Sequence, residues 1–465
     1  MSSRRFFLRS VAFAGLGAAL TGCGRVRVLT GRGVGTPVTG EPFDPRVERL
    51  LGRATYGPRP GDRTRLLDLG ADSFLDEQLA PDTVDDREAT LLVRHLESLA
   101  LRGGDLFEVG KDEILADLRR ATLLRALYSR RQLQEVTVEL LSDHFNVYAG
   151  KGDGAWLKVI DDRETIRPHV FGPFRDLLRA TVTSPAMLVY LDGASNRRGK
   201  PNENHARELL ELHTLGVDGG YGQRDVMELA RALTGWRLRD HLRKGRAVFD
   251  PSRHDPGAKR VLDEVADGAP GVDLDELVDR LASHPATATL LATKLCRRFV
   301  ADEPGAPLVA RTADVFRKTG GHLGQTLSSL LRSEELQTAP PKLKRPYAFA
   351  LSALRACGAA SDGGRGLQDQ LRALGQLPFD WPTPDGYPDG ASHWSGPLLS
   401  RWNFALRLTT GGIRGTSVPD SEPTVLAESA LGRRLTRQER ATFGTLREDR
   451  EAFALALCHP GFQYG

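Results

Sequence analysis

Between Asp143 and Lys259 the chain concentrates side chains able to move protons or ligate a metal. The central run is Pro201-Asn-Glu-Asn-His-Ala-Arg-Glu-Leu-Leu-Glu-Leu-His213-Thr-Leu-Gly216. Pro201 and Asn202 suit a helix start, and Gly216 suits its end. At about 100° per residue, Glu203, Asn204, Arg207, Glu208 and Glu211 share an arc of about 140°, while Ala206, Leu209, Leu212 and His213 lie opposite. Arg207 is spaced i,i+4 from both Glu203 and Glu211, so it is predicted to bridge two carboxylates. On an arbitrary helix this pattern is a solvated face with weak ion pairs. Here the flanking runs SPAMLVYLDG and MELARALTGW are apolar, which predicts packed neighbours and a buried helix whose polar face lines a pocket. Glu203, Asn204, Arg207 and Glu211 are then its structural polar network.

Three further segments extend the set. Asp143-His144-Phe145-Asn146 closes an amphipathic helix. Ile166-Arg167-Pro168-His169 precedes the turn Phe171-Gly-Pro-Phe-Arg-Asp176. Phe249–Lys259 is a loop carrying His254, Asp255 and Lys259. His144, His169 and His213, with carboxylates nearby, are candidate ligands for a divalent transition metal. Glu208, His254, Asp255 and Lys259 are the candidates for acid–base work. Each has a plain alternative: a helix-end histidine caps carbonyls, and His213 among leucines is more commonly a satisfied core residue.

Familiar signatures are missing. Gly193–Lys200 imitates a phosphate loop but has one residue too many and ends in Pro201, which removes both the cradle and the magnesium-binding hydroxyl. Gly31-Arg-Gly33-Val-Gly35 fails the dinucleotide fingerprint. There is no HExxH, no GxSxG and no CxxC pair.

The elements that must position these residues are helices. Periodicity predicts helices over 111–128, 130–144, 174–183, 202–215, 226–236, 274–283, 286–300, 324–332 and 345–356. Alternating runs are scarce, and 378–396 is a Gly/Pro-rich loop carrying Trp381, Tyr387 and Trp394. The fold class is all-α or predominantly α, a large helical domain with long Gly/Pro-rich loops. No repeat of 20–50 residues is visible.

The N-terminus addresses the chain. Arg4-Arg5 followed by Phe-Phe-Leu-Arg, a short apolar segment from Val11 to Leu20, and Leu20-Thr21-Gly22-Cys23 read as a twin-arginine signal ending in a lipobox. The apolar segment falls short of the roughly 20 residues a spanning helix needs. Residues 1–22 are therefore expected to be removed, Cys23 to be acylated, and 23–43 to be a flexible linker to a single domain over 44–465, about 420 residues. The expected location is the outer face of the cytoplasmic membrane or the cell envelope. The folded chain crosses after maturing in a reducing compartment, so Cys296, Cys357 and Cys458 are expected to be buried free thiols. The net charge of +4 falls to about +1 without Arg4, Arg5 and Arg9, and mixed signs throughout argue against a nucleic-acid partner.

The runs DHFNV, IRPHVFGPFRDLL, SPAMLVYLDG, PNENHARELLELHTLGVDGGYGQRDVMELARALTGW, the His254-Asp255-x-Gly257-x-Lys259 loop, HPATATLLATKLCRRFV and LLSRWNFALRL together resemble one bacterial exported family, catalogued as domain of unknown function 1800. The resemblance covers essentially everything after the linker. It implies export by the twin-arginine route and a sulfatase-like exported partner protein, and it leaves the chemistry open. The family run is aromatic-His-Asn-His-Phe-Asn-Val, whereas Leu141-Ser142-Asp143 precede His144 here. A ligand histidine is then lost, or Asp143 supplies an oxygen in its place. His205 stands at a tyrosine position and Gly222 at a capping threonine, for which Gly is an acceptable substitute.

Two functions stay open. One is a metal-assisted or acid–base hydrolase acting on an envelope or extracellular substrate. The other is a non-catalytic lipoprotein that binds a partner enzyme or polymer.

Overall fold

A computed structural model describes residues 35–239, 244–266, 272–396, 398–444 and 449–465. Arg4, Arg5 and Cys23 lie outside them. The described residues are 61% helical, with only small sheets, so the helical fold class is correct. Among the described residues, strands form three two-stranded antiparallel pairs: Trp236–Leu238 with Ala247–Phe249, Lys259–Val261 with Glu264–Ala266, and Ala360–Ser361 with Thr416–Ser417. No helix among them is long and apolar enough to cross a membrane.

Helix boundaries follow local chemistry. Asp44 caps Pro45–Ala54 by accepting from the Arg46 and Val47 amides, with proline in the first turn. Lys111–Tyr128, Gln132–His144, Pro285–Phe299 and Pro346–Ala356 fall where periodicity put them. The expected 226–236 helix instead spans Gln223–Ala232. Gly235, at φ +93°, turns the chain there, and a Cβ on it would come within 3.0 Å of the Asp250 carbonyl. Trp236 therefore opens a strand.

Two apolar cores build the body. One gathers the helices after Asp44 with the C-terminal helices, around Leu51, Leu124, Phe299, Phe349 and Phe404. The other gathers the middle of the chain, around Leu118, Phe145, Phe174, Leu209 and Leu281. Among the described residues five helices belong to both, including Ala306–Lys318 through Leu308 and Phe316 and Leu323–Leu331 through Leu327 and Leu323. Lys111–Tyr128 gives Leu118 to one core and Leu124 to the other, Gln132–His144 gives Leu141 and Leu133, and Pro285–Phe299 gives Leu291 and Phe299. Polar residues of these shared helices meet in the seam between the cores. Cys296 and Cys357 are buried free thiols, and Cys458 is half-buried.

Candidate functional site

The Pro201–Gly216 segment does not stay α-helical. Glu203–Glu208 is α, capped by Asn202, and Leu209–Thr214 widens to a π-helix. The Thr214 hydroxyl donates to the Leu209 carbonyl at 2.6 Å, and the Leu215 amide reaches Leu210 at 2.8 Å. A π turn rotates less per residue, so Glu211 swings out of register with Arg207. Arg207 Nη2 bonds Glu203 at 3.0 Å and Gln223 at 2.9 Å, with no Glu211 bridge. Its side chain is 41% exposed. The expectation of a buried arginine between two carboxylates is corrected: Glu203, Arg207 and Gln223 form a solvated cluster. Asn204 is exposed. Glu208 and Glu211 are half-buried, and burial together with Glu211 raises the Glu208 carboxyl. The opposite side, with His205, Leu209, Leu210 and His213, is buried.

His144, His169 and His213 do not converge as a ligand set. His144 Nδ1 lies 2.9 Å from Lys294 Nζ and Nε2 lies 3.1 Å from the His213 carbonyl. The ammonium can only donate, so Nδ1 accepts and Nε2–H donates, and neither ring nitrogen is free for a metal. Burial, then Lys294, holds His144 neutral, with its pKa well below the usual value. His213 is 1% exposed and its Nε2 has no partner. His169 Nδ1 bonds the Thr165 carbonyl at 2.7 Å. Among the described residues no three His, Cys, Asp or Glu groups are placed to hold a metal. The donor set does not fit the divalent transition metal that the sequence suggested.

His254 and Lys259 do meet, inside the protein, around an aspartate the sequence reading missed. Lys259 Nζ lies 2.7 Å from Asp273 Oδ2 and 3.1 Å from His254 Nε2, and donates to the Asp255 carbonyl. His254 Nδ1 bonds the Thr234 carbonyl at 2.9 Å. Lys259 and Asp273 are fully buried, and His254 is 2% exposed. Asp255 is forked by Arg231 at 2.9 and 3.1 Å, which holds its carboxyl down to about 2. Arg231 also pairs with Glu228. This network pins the 249–259 loop to the helix Val272–Ser283. It is a closed staple, so the assignment of His254, Asp255 and Lys259 to chemistry gives way to a structural role.

A polar cavity lies in the seam. Glu135, Glu139 and Asp143 stand one turn apart on Gln132–His144, the i,i+4,i+8 spacing that could have exposed them in the sequence. They line a cavity of about 40 Å³ with Ser142, Asn146, Asp162, Tyr347 and Tyr387, room for roughly three or four waters at about 10–15 Å³ each. Arg167 pairs with Glu135 and Asp162 at 2.9 and 2.8 Å. Arg345 Nη2 bonds Glu139 at 2.7 Å, and its Nη1 lies 3.2 Å from Asp143 and 3.7 Å from Asp389. Burial pushes Asp143 up to about 7; Arg345 opposes the shift, while Glu139 and Asp389 add to it. Ser142 Oγ, Asp162 Oδ1 and Tyr347 Oη are buried without a partner, and all three residues line this cavity.

The 378–396 loop closes over the site. Asn146 Nδ2 holds the Trp381 and Thr383 carbonyls at 3.0 and 2.7 Å. Gly386, at φ +75°, packs on the Asp143 backbone so closely that a Cβ would lie 2.2 Å from its carbonyl oxygen. Trp381 and Tyr387 rings are 4.9 Å apart.

The family described as protein of unknown function DUF1800 matches residues 49–464. The chain belongs to that family. All the networks above fall within the matched DUF1800 region. No curated protein and no solved structure matches the chain. In the DUF1800 run quoted from the sequence, Ser142 occupies the place of the first histidine, and it lines the cavity with its hydroxyl unpartnered.

Proposed function

We propose that the protein is an acid–base hydrolase in which Asp143 carries the proton, exported by the twin-arginine route and anchored through acylated Cys23 on the outer side of the cytoplasmic membrane. The observation that carries this reading is the placement of Asp143, which shares Arg345 with Glu139 and Asp389 at the edge of a cavity of about 40 Å³ and is pushed up to about 7 there. An acid poised near neutrality gives a proton to a leaving oxygen in its protonated form and takes one from water when ionised. Glu139 holds the shorter contact with Arg345, 2.7 Å against 3.2 Å for Asp143, so the two carboxyls have different surroundings. Tyr347 and Ser142 offer free hydroxyls to orient water or a substrate oxygen. An ester or glycosidic bond of an envelope or extracellular substrate suits this chemistry.

A non-catalytic lipoprotein that presents a partner, such as a sulfatase-like exported enzyme, is the second reading. The tethering of the 378–396 loop by Asn146, Tyr190 and Arg119 favours it, because that loop shuts the cavity.

The test offers chromogenic esters and glycosides to wild type and Asp143→Asn across pH 5–9. Turnover with a limb near pH 7 that vanishes in the variant is expected. Equal profiles in both proteins would overturn the assignment. Absence of turnover with retained binding of envelope polymer would favour the second reading.

A further inference from the structure

Beside the helix Pro45–Ala54 runs an open groove of about 540 Å³. It adjoins a narrow pocket of about 40 Å³ where Arg53, Arg298, Lys342, Lys344 and Arg345 converge with one carboxylate, Asp389. Arg53, Arg298 and Lys344 line both spaces.

Two of the five cations are satisfied elsewhere. Lys342 pairs with Asp302 at 2.7 Å, and Arg345 faces Glu139 and Asp143. Of the other three, Arg53 has no ion pair among the described residues, Arg298 has only the 3.5 Å contact with Glu139, and Lys344 has only the longer-range field of Glu48. Arg53 is 3% exposed and donates Nη2 to the Pro340 carbonyl at 2.6 Å, leaving Nε buried without a partner. Arg298 Nε is likewise unpartnered, and its nearest carboxylate, Glu139, stands 3.5 Å away. Lys344 Nζ rests 3.8 Å from the Phe462 ring centre, a face that supplies attraction but no acceptor. Gly465 also lines the pocket, its backbone paired with Lys342.

Unpaired cations are expensive away from water. Burial presses Lys344 down to about 7, and burial with Arg298 beside it presses Arg53 to about 10. Five cations around a hollow whose lining holds one acidic side chain leave an excess of positive charge there.

We propose that this pocket binds the phosphate or sulfate group of a ligand lying in the adjoining groove, with Arg53, Arg298 and Lys344 as its donors. Two guanidinium groups and an ammonium suit an oxyanion, the former through forked N–H pairs and the latter as a point charge. At about 40 Å³ the pocket has room for roughly three or four water-sized groups at about 10–15 Å³ each, the scale of one such oxyanion. The site is independent of any turnover at Asp143.

The experiment is calorimetric titration of the folded protein with sodium sulfate, at an ionic strength fixed with chloride. Sulfate is the probe because its charge is constant across neutral pH. Saturable binding is expected, weakened tenfold or more in Lys344→Gln and in Arg298→Gln, and unchanged in Arg207→Gln. Lys344→Gln removes a buried charge and so retains the fold, which a melting curve checks. Inorganic phosphate and glycerol phosphate form the second arm. Tenfold tighter binding of the ester assigns the site to a phosphoester such as a lipid head group, and equal binding assigns it to the free ion. Absence of saturable sulfate binding, or equal affinity in wild type and both pocket variants, would overturn the proposal.

Discussion

Arg345 Nη1 lies 3.2 Å from Asp143 Oδ2, yet Asp143 is pushed up to about 7. One guanidinium serves Glu139 at 2.7 Å, Asp143, and Asp389 at 3.7 Å, so its charge is divided. Glu139 has the shortest contact and a second cation in Arg298. Asp143, desolvated and facing two acids, is the member that keeps a proton.

This arrangement has a pH signature. The folded value lies above the ordinary 3.8, so between those values the native state holds a proton that the unfolded chain has released. The resulting stabilisation is complete below the unfolded value and is lost as pH rises through about 7. Asp143→Asn cannot titrate. Its melting temperature is expected to fall less than that of wild type between pH 5 and 8, measured by circular dichroism. Parallel curves would contradict the assignment.

The two arginines tied to carboxylates should differ in weight. Arg345→Ala strands Glu139 and Asp143 in the seam and is expected to cost roughly 3–5 kcal/mol. Arg207→Ala removes a pair with 41% and 33% exposed side chains, worth about 1 kcal/mol or less. Urea denaturation of both variants gives the comparison, and equal losses would refute it.

The closed staple predicts a rescue. Asp273→Ala leaves Lys259 buried beside His254 with no carboxylate and should cost roughly 3–5 kcal/mol. Adding Lys259→Met removes the orphaned cation and should restore much of that loss, because the two side chains act as one unit. Strict additivity in a double-mutant cycle would show that they do not.

Anchoring is tested by fractionation. Cys23→Ser is expected to release the mature chain in soluble form, and Arg4-Arg5→Lys-Lys to retain it in the cytoplasm. Both variants fractionating like wild type would reject export and acylation by this route.

The sequence alone determined the helical class, the approximate positions of nine helices and the family, because these depend on local periodicity and contiguous motifs. Lys111–Tyr128 was legible to the residue. The Glu203–Thr214 face was misread because a π turn changes the angular step, and nothing in the residue types announces it. His254 and Lys259 were found, but Asp273, which makes them a closed unit, arrives from a separate helix. Glu135, Glu139 and Asp143 carried a readable spacing, but an i,i+4 ladder is identical on a wet face and in a dry seam. Only the tertiary structure placed that ladder between two cores, opposite Arg345 and under the 378–396 loop. Burial and the sharing of one guanidinium decide which acid keeps its proton, and both are set by residues some 200 positions away in the chain.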